Sequence, residues 1–422
     1  MSGARTSEAD EAESLLSAAA VRERCGVVLA AAERGETPHF RVAPERLAAA
    51  AERVVAVTRR RYPDLNVPYH SRWRHFGVGG IDRAALIAPG ADRGADWLER
   101  ARARIDLAIV SVLLDAGAGP VWRYREAETG AVLARSEGLA VASLRAMQQG
   151  LFSSDPDNPW RADAAALRGL TADRLAGAFQ HGPGNELAGV EGRAALLRRL
   201  GEVAGDAPQW FGRPARLGNL VDFWARSTAV PDAFGRRDAR GPGEVAAPAI
   251  LRLLLHAFGA IWSGRLSLGG VPIGDCGRHS NVPGDGLVPF HKLSQWLTYS
   301  LVEPLEDAGM RVTDLDGLTG LAEYRNGGLF LDTGCLVPRD PELPKQNLDP
   351  FAEPVVEWRA LTAALLDRLA AEVRGRLGKN AAELPLAAVL EGGTWAAGRE
   401  IAAELRPDGR PPLTVASDGT LF

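Results

Sequence analysis

Residues 105–117 read IDLAIVSVLLDAG and form the most apolar segment of the chain. A helix that crosses a bilayer needs about 20 consecutive apolar residues. This run is shorter, and Asp106 and Asp115 bound it. Its length and aliphatic content are typical of a helix buried inside a globular protein. The segment therefore predicts a fold built around an internal helix.

Helical patterns also dominate the rest of the chain. Runs of good helix formers lie at about residues 8–34, 44–61, 95–116, 138–150, 186–204, 244–262, 290–309, 314–326, 355–378 and 394–405. Two stretches alternate around a turn and predict β-hairpins: 121–136, and more weakly 413–422 around Asp418-Gly419. The predicted fold class is mostly α, a multi-helix globular fold with a few short β-hairpins.

Composition bounds the compartment and the partners. The 422 residues include 49 Lys plus Arg against 53 Asp plus Glu, a net charge of -4, which predicts no general attraction to nucleic acid or to an anionic membrane. The odd number of cysteines, Cys25, Cys276 and Cys335, argues against a disulfide framework and for a reducing compartment. The acidic, polar N-terminus has no leader pattern. We expect a cytoplasmic protein.

The chain is long enough for one large domain or two merged ones. A Gly- and Pro-containing stretch at 205–215 marks a soft boundary, or equally a surface loop. We predict an N-terminal helical region, 1–210, that carries the Arg/His/aromatic loop, and a C-terminal helical catalytic region, 211–422. The alternative is that the two regions form one merged domain.

The Gly- and Pro-rich stretch at 62–80 is predicted to be a loop, and it concentrates cations and aromatics. His70, Arg72, Arg74 and His75 alternate there with aromatic residues. Guanidinium groups bind phosphate through paired hydrogen bonds, and an aromatic face covers a sugar or base. The pattern predicts a phosphorylated ligand. The alternative is a structural joint in which Arg and His stack on Trp.

Residues 290–309 carry a polar stripe along one helix. Lys292, Gln295 and Tyr299 follow i, i+3 and i+7 spacing beside an apolar stripe. A cation, an amide and a phenol in one line predict the wall of a pocket for an anionic ligand. A solvated surface helix gives the same pattern.

Residues 318–332, LTGLAEYRNGGLFLD, place Glu323, Tyr324 and Arg325 side by side. We expect a helix over 314–326 that ends at Asn326-Gly327. Glu323 would then lie in the last turn, where the helix dipole disfavours a carboxylate. It would need a partner, which Arg325, Lys292 or a developing cation on a substrate can supply.

Further acids lie in aromatic settings. Asp222 stands next to Phe223 and Trp224. Glu391, Trp395 and Arg399 recur at i+4 spacing, although Gly392-Gly393 argues against a helix that starts early enough to align them.

Metal and nucleotide motifs receive little support. Cys276 and His279 have C-x-x-H spacing, but a single pair is weak evidence for zinc. The chain has no G-x-S-x-G, no phosphate loop and no G-x-G-x-x-G after a strand. We predict neither a metal nor a cofactor.

Four motifs, in order along the chain, resemble the uracil catabolism protein 4 family of fungi and bacteria. They are PYHSRWRHFGVGGIDR (68–83), LVPFHKLSQWLTYSLVEPL (287–305), LTGLAEYRNGGLFLDTG (318–334) and LEGGTWAAGREIA (390–402). The resemblance implies a pathway in which uracil becomes uridine monophosphate, its ring is opened, and urea is released. A ribosylurea species is the implied intermediate, so one member must cut the bond between ribose and a urea nitrogen.

A remoter resemblance bears on that step. Asn219 to Trp224, Lys292 to Gln295, Glu323 to Arg325, and Trp395 are similar in order to motifs of the queuosine 5′-phosphate N-glycosylase (queuosine salvage) family. That family implies a DNA-glycosylase-like helical fold and hydrolysis of an N-ribosidic bond. It has Asp-Tyr-Arg where this chain has Glu323-Tyr324-Arg325, so base specificity does not carry over.

Together these observations predict metal-independent hydrolysis of an N-ribosidic bond in a ribose 5-phosphate conjugate, most plainly phosphoribosylurea. Glu323 is assigned to stabilise the sugar cation and orient water, and Asp222 or His70 to assist the leaving group. The expected substrate-binding residues are Arg72, Arg74, His75, Asn219, Trp224, Lys292, Gln295, Tyr299, Tyr324, Arg325 and Trp395.

Two other functions remain open. One is a ligand-binding or channelling protein without chemistry, which has no need for Glu323. The other is an amidohydrolase that uses His70, His75 and His279 with a metal. The sequence also leaves open the leaving group, retention of the 5′-phosphate and the oligomeric state.

Overall fold

The computed structural model describes residues 7–87, 97–225, 243–262 and 266–416. The α-helices of these residues are α1 (Glu8–Leu15), α2 (Ala18–Glu33), α3 (Leu47–Arg61), α4 (Arg72–Phe76), α5 (Trp97–Leu113), α6 (Arg135–Gln148), α7 (Ala164–Arg168), α8 (Ala172–Ala178), α9 (Val190–Asp206), α10 (Pro208–Phe211), α11 (Leu220–Ala225), α12 (Ala247–Phe258), α13 (Lys292–Asp307), α14 (Tyr324–Asp332), α15 (Glu353–Leu377), α16 (Leu386–Val389) and α17 (Trp395–Leu405).

The strands are short and pair two by two. They are β1 (Phe40–Val42), β2 (Tyr124–Arg125), β3 (Val132–Leu133), β4 (Glu244–Ala246), β5 (Ser267–Leu268), β6 (Val271–Pro272), β7 (Cys276–Arg278), β8 (Leu287–Pro289), β9 (Arg311–Thr313), β10 (Leu336–Pro338), β11 (Asn347–Leu348) and β12 (Thr414–Val415). Pairs β1–β10, β2–β3, β5–β6 and β7–β8 are antiparallel. Pairs β4–β9 and β11–β12 are parallel.

The mostly helical fold class is confirmed. The hairpin predicted in 121–136 is confirmed as β2–β3, whose turn closes with a hydrogen bond from the Glu126 N–H to the Ala131 carbonyl. The second hairpin, around Asp418-Gly419, lies outside the described residues. Within the described part of the chain, no helix is both long enough and apolar enough to cross a membrane.

Two compact units make up the chain, and each is assembled from separate stretches. Of the described residues, the first unit comprises 7–70, 266–295 and 314–416, and the second comprises 71–87, 97–225, 243–262 and 296–313. The predicted division at residue 210 therefore falls inside the second unit. Helix α13 contributes its first turn to the first unit and its remainder to the second.

The first unit is organised around α15. Its buried residues include Trp358, Leu361 and Leu365, and the helix contacts α2, α3, α14 and α16. It ends at Gly378, whose φ of 67° is the left-handed conformation that a helix C-terminus often needs. One long apolar helix thus fixes the elements that carry the candidate site.

The second unit is organised around α5. This helix contains the predicted core segment, and Leu107, Ile109 and Val110 are fully buried in it, as expected. It contacts α4, α6, α9 and α11. Buried Asp106 accepts hydrogen bonds from Arg216 Nε at 2.6 Å and from the Gly218 N–H at 2.6 Å, which satisfies a carboxylate within the apolar core.

The helix predicted over 314–326 is wrong. A single 3₁₀ turn covers Leu315–Gly317, and α14 begins at Tyr324 and continues through both glycines to Asp332. Both glycines lie inside this helix, at positions where a side chain would meet close neighbours. A Cβ on Gly327 would lie 2.7 Å from the Trp358 indole, and one on Gly328 would lie 3.1 Å from Pro412.

Two further expectations are corrected. The stretch 62–80 is not all loop, since α4 spans Arg72–Phe76 within it. The helical region around Glu391 does start early: α16 continues through a π-helical segment, Leu390–Thr394, directly into α17. Gly392 and Gly393 pack closely on Thr58 of α3, which explains glycines at positions where helix propensity disfavours them.

Candidate active site

Glu323 is the N-cap of α14. Its Oε2 accepts a hydrogen bond from the Arg325 N–H at 2.8 Å, and its Oε1 accepts one from the Asn326 N–H at 2.6 Å. The expected location in a last helical turn is therefore wrong. The positive end of the α14 dipole favours the charge of this carboxylate, so the dipole argument for a functional role no longer applies. What remains is a half-buried carboxylate held in one orientation.

Tyr324 adjoins it and lies flat on an indole. The rings of Tyr324 and Trp358 are stacked, with centroids 5.9 Å apart and planes 14° apart. Burial raises the pKa of the phenol to about 12, with an opposing effect from Arg359 and smaller reinforcing effects from Glu323 and Asp275. The phenol therefore stays protonated at neutral pH and can donate a hydrogen bond.

Asp275 and Arg359 form the ionic centre of this region. Arg359 Nη1 and Nη2 donate to the two Asp275 carboxylate oxygens at 2.9 and 2.7 Å. The Lys292 N–H donates to Asp275 Oδ2 at 3.1 Å, so the same carboxylate also caps α13. The Arg359 guanidinium carbon lies 4.0 Å from the centroid of the Phe290 ring. These contacts fix the start of α13 against α15.

The predicted stripe on α13 is only partly available to a ligand. Lys292 is half-buried, whereas Gln295 and Tyr299 are fully buried. The Gln295 amide donates to the Phe290 carbonyl at 3.0 Å and to Thr319 Oγ1 at 2.7 Å, and it accepts from the Thr319 N–H at 2.8 Å. Gln295 therefore ties α13 to the segment that leads into α14.

His70 and Glu391 form a buried pair in the first unit. His70 Nδ1 lies 2.9 Å from Glu391 Oε2, and Arg61 and Tyr62 donate to Oε1 at 2.8 and 3.0 Å. Burial alone would raise the pKa of Glu391, but the hydrogen bond and charge of His70, the charge of Arg61 and the Tyr62 hydroxyl lower it to about 2. An ionised Glu391 fixes the His70 proton on Nδ1. Glu391 lies in the π-helical segment, a feature often found at functional sites.

Asp222, predicted to assist the leaving group, and the predicted substrate-binding residues Asn219 and Trp224 lie in the second unit. Asp222 accepts two hydrogen bonds from Arg102, at 2.8 Å from Nε and 2.7 Å from Nη2. Asn219 Nδ2 donates to the Phe211 carbonyl at 2.7 Å. Trp224 is buried.

The arginines predicted to bind phosphate also have carboxylate partners. Arg72 is completely buried, and its Nη1 donates to Asp115 at 2.7 Å and lies 3.3 Å from His75 Nδ1. Arg74 forms an ion pair with Glu303. Phosphate binding by this loop stays a prediction, and it would have to compete with both ion pairs.

Two further predicted substrate-binding residues lie in α14 and α17. Arg325 donates from Nη1 to the Gly409 carbonyl at 2.8 Å. Trp395 is half-buried, with the Arg399 guanidinium carbon 5.2 Å from its ring centroid.

The Cys276 and His279 side chains turn to different partners. The Cys276 thiol donates to the Ile273 carbonyl at 3.0 Å, and His279 Nε2 lies 3.1 Å from Glu357 Oε2. Of the residues that the structure describes, no three His, Cys, Asp or Glu side chains group so as to hold a metal ion.

The structure thus divides the predicted site residues between the units. The first unit holds His70, Lys292, Gln295, Glu323, Tyr324, Arg325 and Trp395, and the second holds Arg72, Arg74, His75, Asn219, Asp222, Trp224 and Tyr299. Sequence reasoning missed Asp275, Trp358 and Arg359. One signal was available: Glu357 and Arg359 interrupt an otherwise apolar helical face, where unpaired charges are rarely buried.

Comparison with known proteins finds similarity over nearly the whole chain. The profile of the family described as "Protein of unknown function (DUF1688)" matches residues 14–422. "Protein urg3" of Schizosaccharomyces pombe is 41% identical over 414 residues, covering 97% of this chain and 98% of that protein. "Uracil catabolism protein 4" of Lachancea kluyveri is 36% identical over 419 residues, covering 92% and 93%.

Proposed function

Since the chain belongs to the DUF1688 family, and a relative 36% identical to it is named for uracil catabolism, we propose that it too acts in uracil catabolism. We propose further that it is a hydrolase of an N-ribosidic bond. Its substrate would be a ribose 5-phosphate conjugate, phosphoribosylurea, and its products urea and ribose 5-phosphate.

The reaction breaks the bond between ribose C1′ and a urea nitrogen. The oxygen of water bonds to C1′, one water proton goes to the departing nitrogen, and the other stays on the new C1′ hydroxyl. As the nitrogen departs, positive charge develops on the sugar ring. Glu323 would stabilise this charge and orient the water.

The observation that carries the proposal is the fixed carboxylate of Glu323 beside a protonated phenol. Two backbone N–H groups hold the carboxylate oxygens at 2.6 and 2.8 Å, so little reorientation is needed as charge develops. Each oxygen has a second lone-pair direction with which to meet water. Tyr324, stacked on Trp358, can donate a hydrogen bond to a sugar oxygen.

The 5′-phosphate requires a cation. Lys292 is the proposed anchor in the first unit: it is half-buried and is the first residue of α13, where a lysine ammonium can bind a phosphate as a point charge. Assistance to the leaving group by His70 or by Asp222 stays a prediction. The pairing of His70 with Glu391 resembles the way carboxylates orient catalytic imidazoles, which favours His70.

The test supplies the purified protein with phosphoribosylurea. We expect equimolar urea and ribose 5-phosphate, measured by a urease-coupled assay and by mass spectrometry. Saturable binding without either product would contradict hydrolysis and would favour a channelling protein. Activity abolished by a chelator and restored by a metal would favour the amidohydrolase alternative.

A further inference from the structure

Arg359 of α15 contacts two separate segments of the first unit that carry candidate site residues. Its Nη1 and Nη2 donate to the Asp275 carboxylate at 2.9 and 2.7 Å, and this carboxylate accepts the Lys292 N–H at 3.1 Å. Its Nε donates to the Ala322 carbonyl at 3.5 Å, one residue before Glu323. One guanidinium group is therefore joined both to the start of α13 and to the segment that enters α14.

The Arg359 guanidinium is held in one orientation. The side chain is buried, and its guanidinium carbon lies 4.0 Å from the centroid of the Phe290 ring. A guanidinium group is planar and presents its donors in a fixed fork. The position of the Asp275 carboxylate therefore determines the direction in which Nε points toward the Ala322 carbonyl.

The residue before Arg359 contacts the other side of Glu323. Trp358 stacks on the ring of Tyr324, with the two planes 14° apart, and Tyr324 directly follows Glu323 in the chain. Adjacent residues of α15 thus contact both chain neighbours of the candidate catalytic carboxylate. The position of Glu323 relative to α15 is fixed from both sides.

The turn before Lys292 depends on Asp275. His291 has a φ of 48°, a left-handed conformation that residues other than glycine rarely adopt. The Asp275 carbonyl accepts the N–H groups of Phe290 at 2.8 Å and of His291 at 3.3 Å. Asp275 therefore holds this turn with its carbonyl and the first residue of α13 with its carboxylate. A shift of Asp275 would move Lys292 with it.

We infer that Arg359 is a positioning residue that sets the separation between Lys292 and Glu323. The inference rests on the proposed function, in which Lys292 binds the 5′-phosphate and Glu323 acts at C1′ of the same ribose. Both groups act on one substrate only if their separation matches the distance from its phosphate to C1′. Arg359 acts through Asp275 and the Ala322 carbonyl and does not need to touch the substrate. Binding of the phosphate then aligns C1′ with the carboxylate.

The test compares kcat/KM for phosphoribosylurea with kcat/KM for ribosylurea, and the ratio of the two values is the phosphate preference. Arg359→Lys keeps a cation beside Asp275 but cannot also reproduce the paired hydrogen bonds and the bond to Ala322. We expect the phosphate preference to fall by about tenfold or more, because a misplacement of about 1 Å can lower a rate by about 100-fold. A purely structural role would lower kcat/KM for both substrates by the same factor and leave the preference unchanged.

Arg406→Lys is the matched control. Arg406 also donates two hydrogen bonds to one carboxylate of the first unit, that of Asp332, at 2.9 and 2.5 Å. Asp332 is the last residue of α14, at the opposite end from Glu323. We expect Arg406→Lys to retain the phosphate preference of the wild type.

Two further variants test the route of the effect. Phe290→Leu removes the ring beside the Arg359 guanidinium without removing either member of the ion pair. It should also lower the phosphate preference, and it replaces Arg359→Lys if that variant does not fold. In a Lys292→Ala background, Arg359→Lys should cause no further fall in the preference, because the anchor that it positions is already absent.

Failure of the proposed hydrolysis gives a different result. If the wild type releases no urea, the phosphate preference is taken from the dissociation constants of the two ligands, measured by isothermal titration calorimetry. A fall of this ratio in Arg359→Lys would then support the positioning of Lys292 while the hydrolysis fails. The inference is overturned by a wild type without phosphate preference, by an unchanged preference in the folded Arg359 or Phe290 variant, or by an equal fall in Arg406→Lys.

Discussion

Lys292 is the proposed anchor for the 5′-phosphate, and its backbone is fixed by a hydrogen bond. It is the first residue of α13, and its N–H is bonded to Asp275. A charge-assisted hydrogen bond is worth about 1.5–3 kcal/mol, which is about 10- to 150-fold in affinity. Lys292→Ala should lower the affinity for the phosphorylated ligand by that factor and change the affinity for its dephosphorylated analogue little. Calorimetric titration of both ligands measures the difference.

Lys345→Ala is the matched control. Lys345 is an exposed lysine of the same unit, paired at 2.7 Å with Glu342, and its loss should alter neither affinity. If Lys292→Ala weakened both ligands equally, Lys292 would not be the phosphate anchor.

For single residues, the sequence identifies candidate site residues more reliably than it predicts their structural environments. The neighbouring residues Tyr324 and Arg325 made Glu323 recognisable as a candidate in the sequence. Its place in a last helical turn was predicted wrongly, because the glycines that follow resemble a helix end. Local sequence patterns could not reveal the ion pair between Asp275 and Arg359, since the two residues are 84 positions apart in the chain.

Contact between α14 and α15 depends on a glycine within a helix. Gly327→Ala would place a methyl group 2.7 Å from the Trp358 indole. We expect destabilisation by about 1–3 kcal/mol, the usual cost of overpacking a core. Because Trp358 also supports Tyr324, ligand affinity should fall as well. Thermal unfolding and ligand titration check the two effects.

Gly375→Ala is the control for helix propensity. Gly375 lies within α15 and is exposed, and a Cβ added there would meet no atom within 4 Å, so alanine should stabilise the protein by about 0.4–1 kcal/mol. A Gly327→Ala protein as stable as wild type would show that the α14–α15 packing is not the reason for this glycine.

The π-helical segment predicts a specific acid sensitivity. The pKa of Glu391 is lowered to about 2 in the folded protein from 4.5, so the unfolded chain takes up its proton first as the pH falls. Ionised Glu391 then contributes stability that is complete above about pH 4.5 and is lost as the pH falls toward about 2, about 3 kcal/mol in total. Glu391→Gln should flatten the dependence of unfolding free energy on pH in that window.

Denaturant titrations from pH 5 to pH 3 measure this slope. Glu52→Gln is the control, because Glu52 is 72% exposed and its pairing with Arg376 at 3.3 Å should contribute almost nothing. Equal slopes for wild type and Glu391→Gln would contradict the pairing of Glu391 with His70 and Arg61.

At the element scale, the limits of sequence reasoning are physical. Long helices such as α5 and α15 were predictable because helix propensity and apolar periodicity are local. The start of α14 and the continuity from α16 to α17 were not, since Gly327 and Gly393 are favoured by close packing on Trp358 and Thr58 rather than by helix propensity.

At the scale of the whole molecule, chain order and spatial grouping differ. Each unit is formed from separate stretches of the chain, a grouping that local sequence patterns do not encode. The sequence motifs nevertheless indicated the family, because four long motifs occur together in order. Predicted site residues occur in both units, and a local pattern carries no information about which unit a residue joins.

We expect the charge of Glu323 to drive the proposed hydrolysis. Glu323→Gln retains size and one capping oxygen but removes the charge, so urea release from phosphoribosylurea should fall by about 10²–10³ while binding persists. Because Glu323 is an N-cap, the variant should lose at most about 1 kcal/mol of stability. Glu323→Asp restores the charge with a good capping residue, and activity should partly return.

The decisive measurement is therefore urea release by the wild type, Glu323→Gln and Glu323→Asp, with melting temperatures recorded for all three. We expect a large loss of urea release in the Gln variant, partial recovery in the Asp variant, and melting temperatures close to that of the wild type. Full activity in Glu323→Gln would contradict a catalytic role of Glu323, and so would a loss of activity matched by a large fall in melting temperature, which would leave Glu323 as a helix cap alone.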